Sequence, residues 1–404
     1  MKFFKVFLAA LLAVLVSGII SSLMWVIIFV GLAGSMEQTT KAVITPQTIV
    51  KIDFAENITE APTKNPLAGF DYNTMTMAKT THLLKVLQSI EAAKGDERVK
   101  GIYLNFTGAG GITTGAVEEL RAALIDFKQS GKFVVAYNEG YSQGLYYLAS
   151  VADKVYLHPE GHFSWIGMAQ TSLFMKGAFD KLGLNVEAIR PTACKYKSAV
   201  EPYILNKMSE ANRKQMTDLG NSMWNSICSA VAQSRGITVE QLNKIADKEP
   251  MLFPEQALEY KLVDGIIYRD QMEDIFAEKG VERNFMGEFE IISLGDYATV
   301  VGADMSNLSA PKVGIIYAEG SIVDGDSETI DGNIYGTTLA NTIAKARKDE
   351  TIKAVVLRVN SPGGSALASD IIWREVELLK KEKPVIVSMG AYAASGGYYI
   401  SCPA

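Results

Sequence analysis

The segment Asp96-Glu-Arg-Val-Lys-Gly-Ile-Tyr-Leu104 has a counterpart 253 residues further along the chain, Asp349-Glu-Thr-Ile-Lys-Ala-Val-Val-Leu357. Each segment ends in an apolar run that predicts a buried strand. At the same offset, Gly110-Gly111 falls on Gly363-Gly364 and Ser142 falls on Ser395. Upstream, Val50-Lys-Ile-Asp-Phe-Ala-Glu-Asn57 matches Val313-Gly-Ile-Ile-Tyr-Ala-Glu-Gly320. We interpret these matches as two copies of one ancestral unit, with a compensating shift still possible between the strands and the serines.

Strand-like apolar runs alternate with helical patterns through the first copy. The predicted strands are Ile49 to Phe54, Gly101 to Phe106 and Phe133 to Tyr137, and the predicted helices lie near Thr81 to Ala93 and Ala116 to Gln129. This order is typical of βαβ units with right-handed crossovers and helices on both faces of the sheet. The predicted fold class is therefore α/β.

The repeat also predicts the domain boundaries. The first copy occupies residues 48–300 and the second begins at residue 311, which leaves the second copy only residues 311–404 of this 404-residue sequence. By the logic of the repeat, we expect the C-terminal part of the second domain to be missing.

The N-terminus predicts a membrane anchor, residues 1–38. Lys2 and Lys5 precede a segment from Val6 to Met36 that has no charged side chain. A run of this length can span a bilayer, and the lysines are expected to stay on the cytoplasmic side, which places the rest of the chain beyond the membrane. A cleaved signal peptide that ends near Gly31-Leu-Ala-Gly34 is the alternative.

Composition narrows the class of function. A net charge of −6 and the lack of a basic block argue against nucleic acid as a partner. The three cysteines show no metal-ligand spacing and no obvious disulfide framework, and we interpret them as packing residues.

The stretch Ala391-Tyr-Ala-Ala-Ser-Gly-Gly-Tyr398 follows the apolar run Pro384 to Ser388 and has the composition of a nucleophile turn. A serine among small residues at a strand-to-helix corner can present its hydroxyl with backbone N–H groups close by. Ser395 would then need a base. His82, His158 and His162 are the only histidines, and their local patterns favour surface or turn positions. Lysine is the other base used with serine.

Gly363 and Gly364 follow a predicted strand and precede a helical pattern from Leu367 to Leu379. Their N–H groups could stabilise the negative charge that develops on a carbonyl oxygen under attack. A tight turn that needs glycine for its backbone angles is the alternative interpretation.

Three motifs together resemble the signal peptide peptidase A family, also called protease IV, in its long form with two tandem halves. They are Tyr196-Lys-Ser-Ala-Val-Glu-Pro-Tyr203, Leu357-Arg-Val-Asn-Ser-Pro-Gly-Gly-Ser365 and Ser388-Met-Gly-Ala-Tyr-Ala-Ala-Ser-Gly-Gly-Tyr-Tyr-Ile-Ser401, and they follow the predicted anchor in the order that this family shows.

The resemblance implies a fold of the crotonase and Clp-protease type and a Ser-Lys dyad with Ser395 as nucleophile and Lys197 as general base. Lys195 is the rival base, and Lys195 and Arg190 are candidate cationic neighbours that would lower the pKa of Lys197. Gly364 is the expected oxyanion donor, supported by Gly363, with Gly396 as the next candidate. Ser142 is interpreted as a structural relic.

The resemblance further implies a bacterial inner membrane protein with its catalytic domain on the periplasmic side. Its expected partners are the lipid bilayer, hydrophobic signal-peptide remnants as substrates, and further copies of itself in a ring. Two alternatives stay open: a crotonase-type acyl-thioester enzyme, and an inactive fragment or scaffold that retains the peptidase fold. We expect the 404 residues by themselves to be inactive or poorly folded.

Overall fold

A computed structural model describes residues 2–36, 43–54, 57–62, 70–71, 76–77, 80–106, 111–190, 193–301, 310–327 and 332–404. The chain divides into two compact units, Met1–Ile44 and Thr45–Ala404. Two parts of the sequence analysis, Gly110 and residues 37–38 of the predicted anchor, lie outside the described residues.

The first unit contains helix α1, Lys2–Met36. Its segment Phe3–Trp25 has a mean hydropathy of 2.6 and is long and apolar enough to cross a membrane, by length and composition.

Among the described residues, all the strands and the remaining helices lie in the second unit. The strands are β1 Thr48–Ile52, β2 Asn57–Thr59, β3 Phe70–Asp71, β4 Thr76–Met77, β5 Thr80–His82, β6 Val99–Leu104, β7 Phe133–Tyr141, β8 Lys154–Ser164, β9 Met251–Leu252, β10 Gly265–Ile266, β11 Ile291–Ser293, β12 Lys312–Val323, β13 Asn333–Tyr335, β14 Ile352–Gly364 and β15 Val385–Ala393. The helices are α2 Leu83–Gly95, α3 Thr114–Lys128, α4 Gln143–Ala149, α5 Lys176–Lys181, α6 Glu201–Ile204, α7 Glu210–Arg235, α8 Val239–Lys248, α9 Pro254–Glu259, α10 Met272–Glu278, α11 Leu294–Val300, α12 Gly336–Lys348, α13 Ala366–Glu382 and α14 Gly396–Ser401, with a 3₁₀ turn at Arg269–Gln271.

Two larger sheets organise this unit. The first has the order β10-β8-β7-β6-β1-β11 and is parallel except for β9, which pairs antiparallel with β8. The second has the order β13-β12-β14-β15 and is parallel throughout. We call residues 45–301 the first-sheet region and residues 310–404 the second-sheet region. The α/β class predicted from the sequence is confirmed.

Each sheet is packed against its own apolar core. In the first-sheet region the buried side chains include Ile49, Tyr103, Phe133, Val135, Tyr137, Met272 and Phe276. In the second they include Ile316, Ile322, Ile343, Val355, Leu357, Val359, Ile372, Val376 and Ile400. In β6 every residue except Lys100 is buried, as expected for a strand covered on both faces.

Strand register shows where the residue offset between the first-sheet and second-sheet regions changes. Ile102 of β6 pairs with Val134 of β7, whereas Val355 of β14, 253 positions after Ile102, pairs with Val385 of β15, only 251 positions after Val134. The offset returns to 253 at the serines, Ser142 and Ser395. The path from the paired strand to the serine is therefore two residues longer in the second-sheet region.

A lysine contact that occurs in both sheet regions supports the offset of 251 positions at the start of β7 and β15. The ammonium of Lys132 donates to the carbonyl oxygens of Ala93 and Asp96 at 2.7 and 2.6 Å. Lys383 makes the corresponding bonds to Ala346 and Asp349 at 2.7 and 2.5 Å. In both places a lysine just before a strand donates to carbonyls at the end of an earlier helix, α2 for Lys132 and α12 for Lys383.

Candidate active site

Ser395 lies at a sharp turn between β15 and α14. Its backbone angles, φ 49° and ψ −118°, fall outside the regions that most non-glycine residues adopt. Two hydrogen bonds fix the turn: the N–H of Gly397 donates to the carbonyl of Ala394 at 2.8 Å, and that of Tyr399 donates to the carbonyl of Ser395 at 2.9 Å. Such strained strand-to-helix corners expose a serine hydroxyl at the end of a sheet. Ser395 is accordingly exposed.

The aligned serine, Ser142, has a different conformation and a different task. Its angles, φ −74° and ψ 160°, are extended, and its hydroxyl accepts a hydrogen bond from the N–H of Leu145 as the N-cap of α4. The Ser395 side chain makes no such capping bond to α14. The Ser142 hydroxyl therefore caps a helix, and the Ser395 hydroxyl does not.

Gly363 packs directly against the serine turn. A β-carbon on Gly363 would lie 2.5 Å from the backbone nitrogen of Gly396 and 2.7 Å from the Ser395 β-carbon, and its φ of +98° favours glycine in any case. Gly364 faces the other way, since a β-carbon there would overlap the backbone of Ile322. The predicted residues Ser395, Gly363 and Gly396 are thus in one place, with Gly364 beside them in the chain.

A second layer of residues holds this arrangement. The buried hydroxyl of Ser361 donates to the carbonyl of Gly320 at 2.6 Å and accepts from the N–H of Gly363 at 3.1 Å. The backbone carbonyl of Ser361 accepts from the N–H of Ala394, also at 3.1 Å. Because the N–H of Gly363 is occupied in this way, Gly363 is better placed to shape the turn than to bind an anion.

Asn360 fixes the approach to the turn from the other side. Its side-chain oxygen accepts from the N–H of Tyr392 at 3.1 Å, two residues beyond Gly390, whose backbone lies against the Asn360 side chain. No role was predicted from the sequence for Asn360 or Ser361. Their signal is their position, separated from the glycine pair only by Pro362.

Lys197 lies in an exposed segment of the first-sheet region. Its N–H donates to the carbonyl of Cys194, and its own carbonyl accepts from Arg190, both at 3.0 Å. Lys195, the rival base, stacks over the Tyr196 ring with its ammonium 5.0 Å from the ring centre. Within the described ranges, no hydrogen bond or ion pair links Lys197 to Ser395. The structure therefore groups the predicted serine with its glycines, and in the described residues it shows no bond from the predicted base to this group.

Glu201 ties the lysine segment to helix α7. This carboxylate is completely buried and accepts from the N–H and hydroxyl of Ser209 at 3.1 and 2.6 Å and from the amide of Asn212 at 2.9 Å. Burial by itself would raise the pKa of Glu201, but these hydrogen bonds outweigh it and hold the pKa below its usual value. Glu201 stays ionised and secures the short helix α6, four residues after Lys197.

The histidines take structural positions. His158 packs edge-on against Tyr268 with ring centres 5.3 Å apart, and the His162 ring lies against the backbone at Gly140. Partial burial, with the charge of Lys85, lowers the pKa of His82. In the part of the chain that the structure describes, none of them bonds to Ser395 and no group of His, Cys, Asp and Glu side chains could hold a metal ion.

Known proteins match the segments that carry the site residues. A profile described as Peptidase family S49 matches residues 126–281, which include Ser142 and Lys197, and residues 377–404, which include Ser395. Protease 4 of Haemophilus influenzae is 36% identical over 329 residues, covering 79% of this chain and 52% of the relative. This chain belongs to peptidase family S49.

Other relatives agree with that assignment. Protease 4 of Salmonella typhi is 38% identical over 333 residues, covering 80% of this chain and 52% of the relative. The chloroplastic serine protease SPPA of Arabidopsis thaliana is 31% identical over 329 residues, covering 80% and 47%. The chain thus spans about half the length of the S49 proteins that it matches.

Proposed function

We propose that this chain is part of a membrane-anchored serine endopeptidase with a Ser-Lys dyad, in which Ser395 is the nucleophile and Lys197 the general base. The conformation of Ser395 carries the proposal, because a strained, exposed serine with Gly363 against its β-carbon suits nucleophilic attack. The capped hydroxyl of Ser142 favours Ser395 over its counterpart. Three relatives named as proteases support a peptidase over the acyl-thioester alternative.

The chemistry follows from a hydroxyl, a base and N–H donors. The Ser395 oxygen bonds to the substrate carbonyl carbon while its proton passes to the Lys197 amine. Gly396 and Gly364 are the proposed donors to the oxyanion, with Gly363 shaping the turn between them. The lysine then protonates the leaving amine, and a water that gives its proton to Lys197 hydrolyses the acyl-enzyme. No metal or cofactor takes part in this scheme.

The position of Lys197 sets a condition on this mechanism. An exposed lysine is almost wholly protonated at neutral pH, so a catalytic one must be desolvated or placed beside another cation. Arg190 lies in the same segment and donates to the backbone carbonyl of Lys197 at 3.0 Å. We propose that the missing burial comes from assembly into a ring of identical subunits, in which the exposed lysine segment is covered.

Substrate and location follow as part of the same proposal. We expect two crotonase-like domains, residues 48–300 and 311–404, to lie outside the bacterial inner membrane and α1 to anchor them. The anchor would hold Ser395 near the bilayer surface, where hydrophobic signal-peptide remnants emerge. The apolar segment Phe3–Trp25 supports this placement by its length and composition.

The test is hydrolysis of an apolar peptide ester in detergent by the complete protein that contains these residues, called the full chain below, because residues 1–404 by themselves are expected to be inactive. It uses four single variants. We expect Ser395→Ala and Lys197→Ala each to lower kcat by about a thousandfold or more, since members of a catalytic unit act together. Ser142→Ala and Lys195→Ala should stay within about threefold of wild type. Acyl-coenzyme A is offered in parallel. Turnover of the thioester alone, or a peptide activity that survives Ser395→Ala, would contradict the proposal.

A further inference from the structure

A group of charges connects the two sheet regions, with Arg358 and Glu60 buried and Glu119 partly exposed, and contacts the strand that leads to the serine turn. Arg358 of β14 is 7% exposed, and Glu60, which follows β2, is 3% exposed. The guanidinium donates to one Glu60 oxygen at 2.6 and 3.2 Å and pairs with Glu119 of α3 at 2.7 Å. We call Glu60, Glu119 and Arg358 the Arg358 cluster. Two of its members come from the first-sheet region and one from the second.

Both oxygens of Glu60 and all three side-chain nitrogens of Arg358 have hydrogen-bond partners. The second Glu60 oxygen accepts from the hydroxyl of Thr113, the N-cap of α3, at 2.6 Å. The Nη1 atom of Arg358, which pairs with Glu119, also donates to the Ser388 hydroxyl at 2.8 Å. Burial would lower the pKa of Arg358, but its bonds to Glu60 and Glu119 outweigh burial and raise the pKa. The planar guanidinium can donate to Glu60, Glu119 and Ser388 at the same time, whereas a lysine ammonium at this position cannot match all three bond directions.

The cluster touches the strand that leads to the nucleophile. Ser388 lies on β15, which ends at Ala393, two residues before Ser395. Helix α3 begins against the same strand, because a β-carbon on Gly115 would lie only 3.1 Å from the backbone nitrogen of Ala391. The cluster and this close contact therefore fix β15 from the first-sheet side.

The same part of β14 fixes the turn from the other side. Two residues after Arg358, Asn360 accepts from the N–H of Tyr392 at 3.1 Å. One residue further, the Ser361 carbonyl accepts from the N–H of Ala394, also at 3.1 Å. A shift of β14 relative to β15 at Arg358 would thus be transmitted to both bonds that precede Ser395.

We propose that the Arg358 cluster positions the Ser395 turn, so that the first-sheet region controls the geometry of the nucleophile through buried charges as well as through Lys197. Arg358 is a positioning residue in this scheme, since it touches neither Ser395 nor a substrate. Buried ion groups are often no more stabilising than apolar packing of the same volume, so a geometric role is the better account of this one. The catalytic consequence rests on the proposed peptidase function.

The experiment compares four variants of the full chain in detergent: Arg358→Lys, Arg358→Met, the double variant Glu60→Leu with Arg358→Met, and Arg347→Met as matched control. Arg347 is a mostly buried arginine paired with Glu375 and Glu382, all within the second-sheet region. Each variant is measured for melting temperature, for kcat and KM on the peptide ester, and for hydrogen exchange of residues 390–399.

We expect Arg358→Lys and Arg358→Met to lower kcat by about tenfold or more with KM within about threefold. The double variant removes the uncompensated charge, so its melting temperature should return toward wild type while kcat stays low. Amides of residues 390–399 should exchange about tenfold faster in all three cluster variants. Arg347→Met should leave kcat and exchange unchanged.

Two outcomes would overturn the inference. Recovery of kcat in the double variant would show that the cluster only compensates buried charge. Unchanged exchange at residues 390–399 in Arg358→Lys and Arg358→Met would show that the turn does not depend on it. Hydrogen exchange does not depend on turnover. A wild-type chain that hydrolyses the ester no faster than Ser395→Ala would therefore refute the proposed function, while the exchange rates of residues 390–399 would still decide whether the Arg358 cluster orders the turn.

Discussion

At the scale of single residues, the serine turn combines strain with tight backbone contact. A non-glycine residue at a φ of +49° stores about 1–3 kcal/mol, which the surrounding structure must offset. Gly363 makes the turn possible, because its missing side chain leaves room for the Ser395 β-carbon and the Gly396 nitrogen. A small change at Gly363 should therefore act on Ser395 directly.

We predict that Gly363→Ala displaces the serine turn. The added β-carbon would meet backbone atoms of Gly396 at 2.5 Å, where nothing flexible can yield. Labelling of Ser395 by a serine-reactive probe should slow by about a hundredfold or more, since small misplacements of a reacting group are costly.

Gly325→Ala is the matched control for this substitution. Gly325 has a φ of +103°, close to the +98° of Gly363, but a β-carbon there meets nothing within 4 Å among the described residues. Both variants bear the backbone cost of about 1–2 kcal/mol, visible as a lower melting temperature. Equal labelling rates in the two would indicate that only backbone strain, and no contact with the serine turn, matters at Gly363.

At this scale the sequence predicted residue types well and geometry poorly. Ser395 stood out by its small neighbours, and the glycine pair by its place after a strand. The sequence carried no sign that Ser142 would be extended and capped while Ser395 would be strained, because both follow an apolar strand and precede a helix. Backbone angles at such corners depend on contacts with distant residues such as Gly363.

At the scale of elements, the corner between α2 and β6 is closed by one carboxylate. Asp96 accepts from the N–H and the side chain of Arg98, at 3.0, 2.9 and 2.7 Å, and from the hydroxyl of Tyr297 at 3.1 Å. The Arg98 bonds outweigh partial burial and lower the pKa of Asp96 to about 2. The turn recurs in the second-sheet region, where Asp349 accepts from the N–H and hydroxyl of Thr351 at 2.8 Å.

We predict a pH-dependent loss of stability from Asp96→Asn. A depressed pKa stabilises the folded state above the unfolded value near 4, and this contribution is lost as the pH falls from about 4 to about 2. Asp96→Asn should lower the free energy of unfolding by about 2 kcal/mol at pH 6, measured by urea denaturation in detergent, and the difference should shrink below pH 4.

Asp218→Asn serves as the control for this measurement. Asp218 pairs with Lys214 on the surface of α7 and is 62% exposed, so its loss should change stability little at any pH. A difference between wild type and Asp96→Asn that persisted undiminished at pH 3 would count against a titrating carboxylate and indicate a packing defect.

Element boundaries were predictable where apolar periodicity was strong. The helix expected near Ala116 to Gln129 is Thr114–Lys128, and the one expected near Leu367 to Leu379 is Ala366–Glu382. The expected strand Phe133 to Tyr137 extends to Tyr141. The two-residue shift between the segments was left open by the sequence, because only hydrogen-bond register shows which residues of β7 and β15 are equivalent.

At the scale of the whole molecule, the N-terminal helix α1 belongs to a compact unit of its own, Met1–Ile44. Because α1 has a span of apolar residues from Phe3 to Trp25, we predict that the full chain stays in the membrane pellet after extraction with alkaline carbonate. A variant that lacks residues 2–36 should appear in the supernatant.

Sequencing the N-terminus of the pelleted protein separates an anchor from a signal peptide. An intact Lys2 supports an uncleaved helix, and a new N-terminus beyond Gly34 would replace the anchor with a cleaved leader. The positive-inside tendency of Lys2 and Lys5 is tested by protease protection of right-side-out vesicles, where residues after 45 should be digested from the periplasmic side.

The sequence by itself determined the α/β class, the repeat of strands and helices, the apolar N-terminal helix and the residue types of the serine turn, because these depend on local periodicity and composition. The tertiary structure decided which aligned serine caps its helix and which does not, that Gly363 and Gly396 meet at Ser395, and that Glu60 reaches Arg358 almost 300 positions away. Such contacts arise from packing between distant segments, and no short-range pattern encodes them. Lys197 remains a prediction from resemblance, since the described chain leaves it exposed.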